Sequence, residues 1–424
     1  MKIIIFHQYF KLPSQAGSTR AYSFAKGLKN NNHEVIIITG SSCREGIKSL
    51  RYKFIKKGIT FQEFKTEENI SILSIQDFYS QHLSFINRLG SFILFALLAS
   101  KLSLKFKDSG VVFASSTPLS IVIPALVFSK LRKVPFIFEV RDLWPEAPIQ
   151  LGILKNKLLI SLAKFLESVA YTNASEIIGI SQGICKKIET MSKKVVNFIP
   201  HGIDEEFFKQ DKTSQEQVFK AKNEAGKIKI IYAGSCGYNN AIEVTFKVAR
   251  LFSLNKNMNN RVQFILIGDG PALKKLRNKT PKNLLLMGKM PKTGVIKHLK
   301  QSDIALFSQR KIVKGDLKKD SLPNKFFDFI GASLPIVAGV QANGEMDSFI
   351  RKNQCGITVD PEDVEGLYTS LQRVILDPKL REKMSLSAKK LSKKLSRKKQ
   401  VDKFVALVEN LHFKNMNSNR LETK

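Results

Sequence analysis

The sequence predicts an α/β protein made of two doubly wound parallel sheets, and three observations carry that prediction. Short β-branched runs alternate with longer helical stretches along the chain. The runs are continuously apolar, as strands covered on both faces are, rather than alternating apolar with polar. The series also stops near the middle, at a segment bearing proline and glycine, and then starts again. A chain of 424 residues is long enough for two or three domains with sizeable cores.

The first series places strands over 3–6, 35–39, 70–73, 111–114, 136–139, 177–180 and 195–199. The second places them over 228–233, 262–268, 284–287, 304–307, 336–338 and 356–359. The break falls after Ile199-Pro200-His201-Gly202-Ile203-Asp204, where proline and glycine end a strand and a polar stretch, 209–222, follows. The expected organisation is therefore a first domain over 1–204, a second over 205–390, and a C-terminal helix and tail over 391–424. Two such domains are expected to face a cleft, with ligands at the carboxyl ends of the strands.

Composition narrows the function classes. Hydrophobic residues at 43% and charged residues at 25% are ordinary for a globular protein and exclude a disordered chain. The four cysteines, Cys43, Cys185, Cys236 and Cys355, are far apart and include no CxxC pair. That spacing argues against a disulfide framework or a zinc site, and no metal is expected. The apolar run that follows Lys2 is too short for a signal peptide and reads as the first strand.

A balance of 69 Lys and Arg against 36 Asp and Glu gives a formal net charge of +33. Such a field attracts polyanions: nucleic acid, an anionic membrane face or phosphorylated substrates. The cations are dispersed and no nucleic-acid-binding motif accompanies them, so nucleic acid is not the expected partner. The stretch 83–107 reads as a helix with an apolar run from Phe92 to Ala99 and cations at Arg88, Lys101, Lys105 and Lys107. That run is far below the roughly 20 residues that span a bilayer. A basic amphipathic helix in the headgroup region fits it, as does a buried core helix.

Six segments carry candidate chemistry. The first strand leads through Pro13 to Ala16-Gly17-Ser18-Thr19-Arg20 at a helix start, where free amides and the dipole favour an anion such as a diphosphate. Arg20 is expected to face the cleft. The strand at 136–139 runs into Arg141-Asp142-Leu143-Trp144-Pro145-Glu146, which places two carboxylates, an arginine and the single tryptophan at a strand end. Arg141 and Asp142 suit a polar acceptor, and an indole ring stacks on the C–H face of a sugar.

In the second half, Gly234-Ser235-Cys236-Gly237 forms another glycine-bearing turn between strand and helix. Gly268-Asp269-Gly270 and Gly288-Lys289-Met290 end two further strands, where backbone atoms can read a nucleobase. In Asp320-Ser321-Leu322-Pro323-Asn324-Lys325-Phe326-Phe327-Asp328 the two aspartates are about two helical turns apart, and Lys325 is three residues before Asp328. A carboxylate can accept both ribose hydroxyls, and a lysine can balance a departing diphosphate.

On these segments, taken in order and spacing, the chain resembles the GT-B glycosyltransferases of the retaining family 4. It is most similar to the bacterial O-antigen and capsule enzymes with an RDLWPE segment, such as N-acetyl-fucosamine transferases. The resemblance implies two Rossmann-like domains and a metal-independent transfer that keeps the anomeric configuration. It needs no cofactor. The E-x7-E pattern of that family falls on Asp320 and Asp328, with aspartate at both positions. By that match Asp320 lies near the donor sugar, Asp328 near the ribose and Lys325 near the diphosphate.

The implied donor set is Gly17, Ser18, Ser235, Gly237, Gly268, Met290, Asp320, Lys325 and Asp328, and the acceptor set is Arg20, Arg141, Asp142 and Trp144. Asp142, Asp320 and Lys325 would carry catalysis. Many members place an arginine and a lysine after the strand at 228–233, whereas this chain has Ser235, Cys236, Asn239 and Asn240. Diphosphate binding then leans on amides, Lys325 and the loop cations Arg310, Lys311 and Lys314.

A histidine common before the first-domain aspartate is replaced by Arg141. The family's final helix returns to the first domain, and Phe404, Leu407, Val408 and Leu411 fit that helix. The expected donor is a UDP-sugar and the acceptor a lipid-linked saccharide of surface polysaccharide. The enzyme would sit peripherally at the cytoplasmic face of a bacterial plasma membrane. A nucleotide-sugar 2-epimerase shares the fold and is the nearest alternative, and a basic nucleic-acid-binding protein is the rival from another class.

Overall fold

The computed structural model describes residues 1–15, 17–44, 52–55, 59–78, 83–150, 152–209, 226–237, 240–311 and 322–422. The chain divides into two compact units. One is formed by Met1–Pro200 with Lys399–Lys424, and the other by His201–Lys398.

The first unit holds a nine-stranded sheet in the order β3-β4-β5-β2-β1-β6-β7-β8-β9. The strands are β1 (Lys2–Phe6), β2 (Glu34–Thr39), β3 (Tyr52–Ile55), β4 (Ile59–Lys65), β5 (Ser71–Ile75), β6 (Val111–Ser115), β7 (Phe136–Val140), β8 (Glu176–Gly179) and β9 (Val196–Phe198). From β5 to β9 every pair is parallel, as the apolar runs predict. The edge departs from that expectation, because β3 and β4 add an antiparallel hairpin beside β5. Polar residues interrupt both hairpin strands, so neither shows the apolar run of a central parallel strand.

Helices Arg20–Asn30 and Arg397–Glu422 pack together in this unit's core. Phe24 and Phe404 stack with ring centroids 4.1 Å apart and planes 11° from parallel. Gly27 permits the approach, since a Cβ there would come within 2.1 Å of Val401 Cγ1. Val408 and Leu411 are buried in the same core and Leu407 packs against it. The terminal helix thus joins the first unit through the residues that the apolar pattern marks.

The second unit is a six-stranded, wholly parallel sheet in the order β12-β11-β10-β13-β14-β15. Its strands are β10 (Ile228–Ala233), β11 (Val262–Ile267), β12 (Leu284–Gly288), β13 (Ile304–Ser308), β14 (Ile336–Gly339) and β15 (Gly356–Val359). The parallel strands of each sheet reverse their order once, at β1/β6 and at β10/β13. Such switch points open a crevice beyond the strand ends.

The unit boundaries differ from the expected 204 and 391. The Ile203 amide donates to the Leu395 carbonyl at 2.7 Å, and the Arg397 amide donates to the Ile203 carbonyl at 2.7 Å. Leu391 is buried in the second core. Residues 201–204 and 391–398 are thereby held by the second unit. Strand-like pairing and burial, which a local break in sequence does not reveal, set the division.

Phe404→Ala removes a ring that is fully buried between Phe24 and Phe113. A loss of about 3–5 kcal/mol is expected. Denaturant unfolding followed by far-UV circular dichroism measures it, with wild-type stability as the contrary result.

Candidate active site

In the second unit three glycine turns stack at the carboxyl ends of β10, β11 and β12. The Gly234 amide donates to Ile267 O at 2.9 Å, the Gly268 amide to Gly288 O at 2.9 Å and the Cys236 amide to Asp269 O at 2.9 Å. Gly268, with φ +145°, lies so close to its neighbour that a Cβ would fall 1.9 Å from Gly234 O. No other residue type fits there.

Lys325, on helix Asn324–Gly331, reaches over the β10/β13 switch point. Its Nζ donates to Tyr232 Oη at 3.0 Å and to Asn240 Oδ1 at 2.7 Å. The same nitrogen lies 4.7 Å from the Tyr232 ring centroid and 4.8 Å from that of Phe307. Gly234, with φ +154°, leaves room for it, since a Cβ there would be 2.9 Å from the ammonium. Tyr232 Oη in turn donates to Ser235 O at 2.7 Å, so the turn and the lysine share one phenol.

Neither hydrogen-bond partner of this lysine is a carboxylate. Burial pushes its pKa down from 10.5 to about 7, offset in part by Cys236 and Asp328. A part-buried ammonium with neutral partners gains most from a ligand that brings negative charge.

Lys325, Gly234, Ser235 and Gly268 are thus brought together, and Gly237 closes the same turn with open space at its Cβ position. Met290 packs against the second core, with its sulfur beside Gly294. Asp320 and Lys314 lie outside the described residues.

Asp328, expected at a ribose, is 7% exposed and binds Lys292, with Oδ1 to Nζ at 2.5 Å. Lys292 also meets Asp204 at 3.3 Å, and Asp204 meets Arg397 at 3.2 Å. Lys292, from helix Lys292–Lys300, draws the Asp328 carboxylate into this buried network, although Asp328 still acts on Lys325 through space. Arg310, expected to help with a diphosphate, is engaged by Glu243 and Glu362. Lys311 is exposed.

In the first unit Arg20 proves to be structural. It is 1% exposed, and its Nε donates to Glu139 Oε1 at 2.8 Å. Its other nitrogens donate to the carbonyls of Ile199 and Pro200, and its guanidinium lies 4.4 Å over the Phe24 ring. A binding role for Arg20 is therefore corrected: the first turn of its helix directs it into the core. Arg20 and Arg141, together with a hydrogen bond from Ser115, hold the Glu139 carboxyl below its usual range despite the opposing effect of burial.

Gly17 is exposed, and among the described residues the Ser18 hydroxyl has no partner. Arg141 is half-buried, and its guanidinium donates to His7 Nε2 at 3.0 Å. Burial and Arg141 push the His7 pKa down to about 3, which keeps the imidazole neutral and accepting. Asp142 is exposed just beyond β7. Trp144 is half-buried and meets Phe92 edge-on, with centroids 6.5 Å apart.

The sequence reading overlooked Tyr232, Lys292, His7 and Glu139. Two of them carry a signal, a phenol in an aliphatic strand and a carboxylate inside Phe-Ile-Phe-Glu-Val. All four cysteines are buried, and none of them forms a disulfide among the described residues. Among the described residues no cluster of three or more His, Cys, Asp or Glu side chains is placed to hold a metal ion.

Residues 213–391 match the family model described as Glycosyl transferases group 1. Comparison with curated proteins gives no match. Among solved structures, the sucrose-phosphate synthase of Thermosynechococcus elongatus is 12% identical with a TM-score of 0.70, covering 97% of this chain and 98% of that one. A trehalose-6-phosphate protein of E. coli bound with UDP-2-fluoro glucose is 14% identical with a TM-score of 0.67, covering 96% and 99%. HepE of Anabaena in complex with UDP is 13% identical with a TM-score of 0.65, covering 97% and 100%. The fold is GT-B, in keeping with the two parallel sheets.

Two outcomes are expected. Arg20→Ala leaves Glu139 buried without its partner and costs about 3–5 kcal/mol, read as a lower thermal midpoint. Lys325 gives up its proton near pH 7 in the folded chain but near pH 10.5 when unfolded. Between those values the unfolded state holds more protons, so this group makes stability rise with pH. Competitive acetylation of Lys325 should show a half-point near pH 7, and an ordinary lysine titration would refute the assignment.

Proposed function

We propose that this glycosyltransferase moves a sugar from a nucleotide-diphosphate donor, a UDP-sugar, to a lipid-linked saccharide acceptor with retention of anomeric configuration. The acceptor is a growing surface polysaccharide of the O-antigen or capsule kind, at the cytoplasmic face of a bacterial plasma membrane. One observation carries the reading: Lys325 is an ammonium set among a phenol, an amide and two aromatic faces beside the Gly234 turn. An anion of two phosphates supplies the charge that this slot lacks.

Support for a uridine donor comes from relatives in fold, whose structures hold UDP, UDP-glucose or UDP-2-fluoro glucose. In the proposed step the bond from the anomeric carbon to the β-phosphate oxygen breaks, one to the acceptor hydroxyl oxygen forms on the same face, and the hydroxyl proton passes to the departing phosphate. Lys325 and the amides of the Gly234 and Gly268 turns stabilise the charge that grows on the departing phosphate. Protonated Lys325 is the active form, so donor binding weakens as pH rises above about 7.

Asp320 is assigned to the donor sugar. Asp142 and Arg141 orient the acceptor hydroxyl, and Trp144 lies beside it. Gly17 and Ser18 are assigned to the donor as well. Rate enhancement then comes from positioning and charge stabilisation rather than from a strong base.

A panel of nucleotide sugars, screened by thermal shift, tests the donor. The true donor at 100 times its Kd should add about 2.7 kcal/mol of stability. Lys325→Gln should lose most of that shift and slow transfer by about 10²–10³. A shift as large in this variant as in wild type would refute the assignment, and epimer formed from donor alone would replace the transfer reading.

A further inference from the structure

Three helices lie side by side on one face of the first unit's sheet: Phe85–Ser103, Val122–Arg132 and Lys157–Asn173. The first is long and apolar enough to cross a membrane by length and composition, over Ile86–Ser103. It does not stand apart from the protein, however, since Phe95, Ala96, Ala99 and Leu102 are buried. Its outer stripe is apolar as well, with Ile86, Ile93 and Leu97 exposed at helical spacing and Leu97 61% exposed.

The third helix is the less expected. Of its 17 residues only Glu167, Ala170 and Tyr171 are buried. Leu158 and Phe165 are 68% and 69% exposed, Leu162 is also exposed, and Ile153 is exposed just before the helix. The middle helix joins the two surfaces, because Arg132 donates to Leu104 O at 2.7 Å and Leu131 beside it is exposed. Exposed apolar surface on this scale marks a binding face.

The rim decides what binds it. Lys101, Lys105, Lys130, Lys133, Lys157 and Lys164 are exposed along these helices and their ends. The one carboxylate on the three helices, Glu167, is buried and accepts a hydrogen bond from Tyr171. An apolar centre with a rim of cations, and no exposed acid on the helices, complements a bilayer with anionic headgroups rather than a protein surface of mixed charge.

We infer that helices Phe85–Ser103, Val122–Arg132 and Lys157–Asn173 form one monotopic face that enters the headgroup layer of an anionic bilayer, with Leu158, Leu162 and Phe165 as a second anchor beside Ile93 and Leu97. The inference rests on the proposed lipid-linked acceptor only for its purpose, since apolar exposure and charge define the face by themselves. Entry is shallow: the buried side of each helix stays on the sheet while the exposed side meets the acyl boundary.

Flotation of the full chain with phosphatidylethanolamine–phosphatidylglycerol vesicles tests it, with pure phosphatidylcholine vesicles as the uncharged control. Wild type should float with the anionic vesicles. Leu158→Ser/Leu162→Ser/Phe165→Ser should lower the bound fraction about tenfold, and Lys157→Glu/Lys164→Glu should lower it in a salt-dependent way.

Retained circular dichroism and nucleotide-sugar stabilisation show that these variants fold. Undiminished flotation of the triple variant overturns the inference. So does a wild-type dimer that the triple variant converts to monomers with no vesicle binding. Intact flotation with no nucleotide-sugar stabilisation would sink the proposed function and leave this face standing.

Discussion

An ammonium held against two aromatic faces, with a phenol and an amide as its hydrogen-bond partners, ties helix Asn324–Gly331 to the end of β10. Lys325 can occupy that slot because Gly234 has no side chain, and Gly234 can sit there because Gly268 lets the neighbouring strand end come close. The parallel sheet supplies the rest by aligning the ends of β10, β11 and β12 at one level. Charge left without a counter-ion is costly in a part-buried place. The fold bears that cost where a polyanionic ligand can relieve it.

The first unit handles charge in the opposite way. Arg20 and Glu139 form a buried pair, and the arginine spends its remaining donors on the carbonyls of Ile199 and Pro200. The pair ties the first helix, β7 and the exit of β9 together beneath the strand ends. Arg141 and Asp142 follow Glu139 directly, so the anchoring of one residue sets the position of the next two. An exposed carboxylate thus stands on rigid support.

Much of the architecture is legible in the sequence because parallel strands buried on both faces leave long apolar runs. Val111–Ser115 and Ile304–Ser308, buried throughout, each extend the expected run by one residue. The β3–β4 hairpin is not legible in this way, since its strands mix polar with apolar residues. The glycine turns also show their character locally. What the sequence hides is direction: Arg20 looks like a ligand-binding arginine until the first turn of its helix is seen to point inward. Asp328 likewise looks like a partner of Lys325, whereas Lys292, distant in sequence, claims it. Contacts between residues far apart along the chain leave no trace in local spacing.

The four cysteines acquire a use from their burial. Two lie in each unit, Cys43 and Cys185 in the first and Cys236 and Cys355 in the second. Burial pushes the Cys236 and Cys355 thiols up to about 12, so neither ionises at neutral pH. Thiolate is the reactive form, so alkylating reagents reach these sulfurs only when the surrounding structure opens. Cys236 stands on the Gly234 turn itself, and its rate of alkylation therefore reports how often that turn loosens, independently of Cys355 in the same unit.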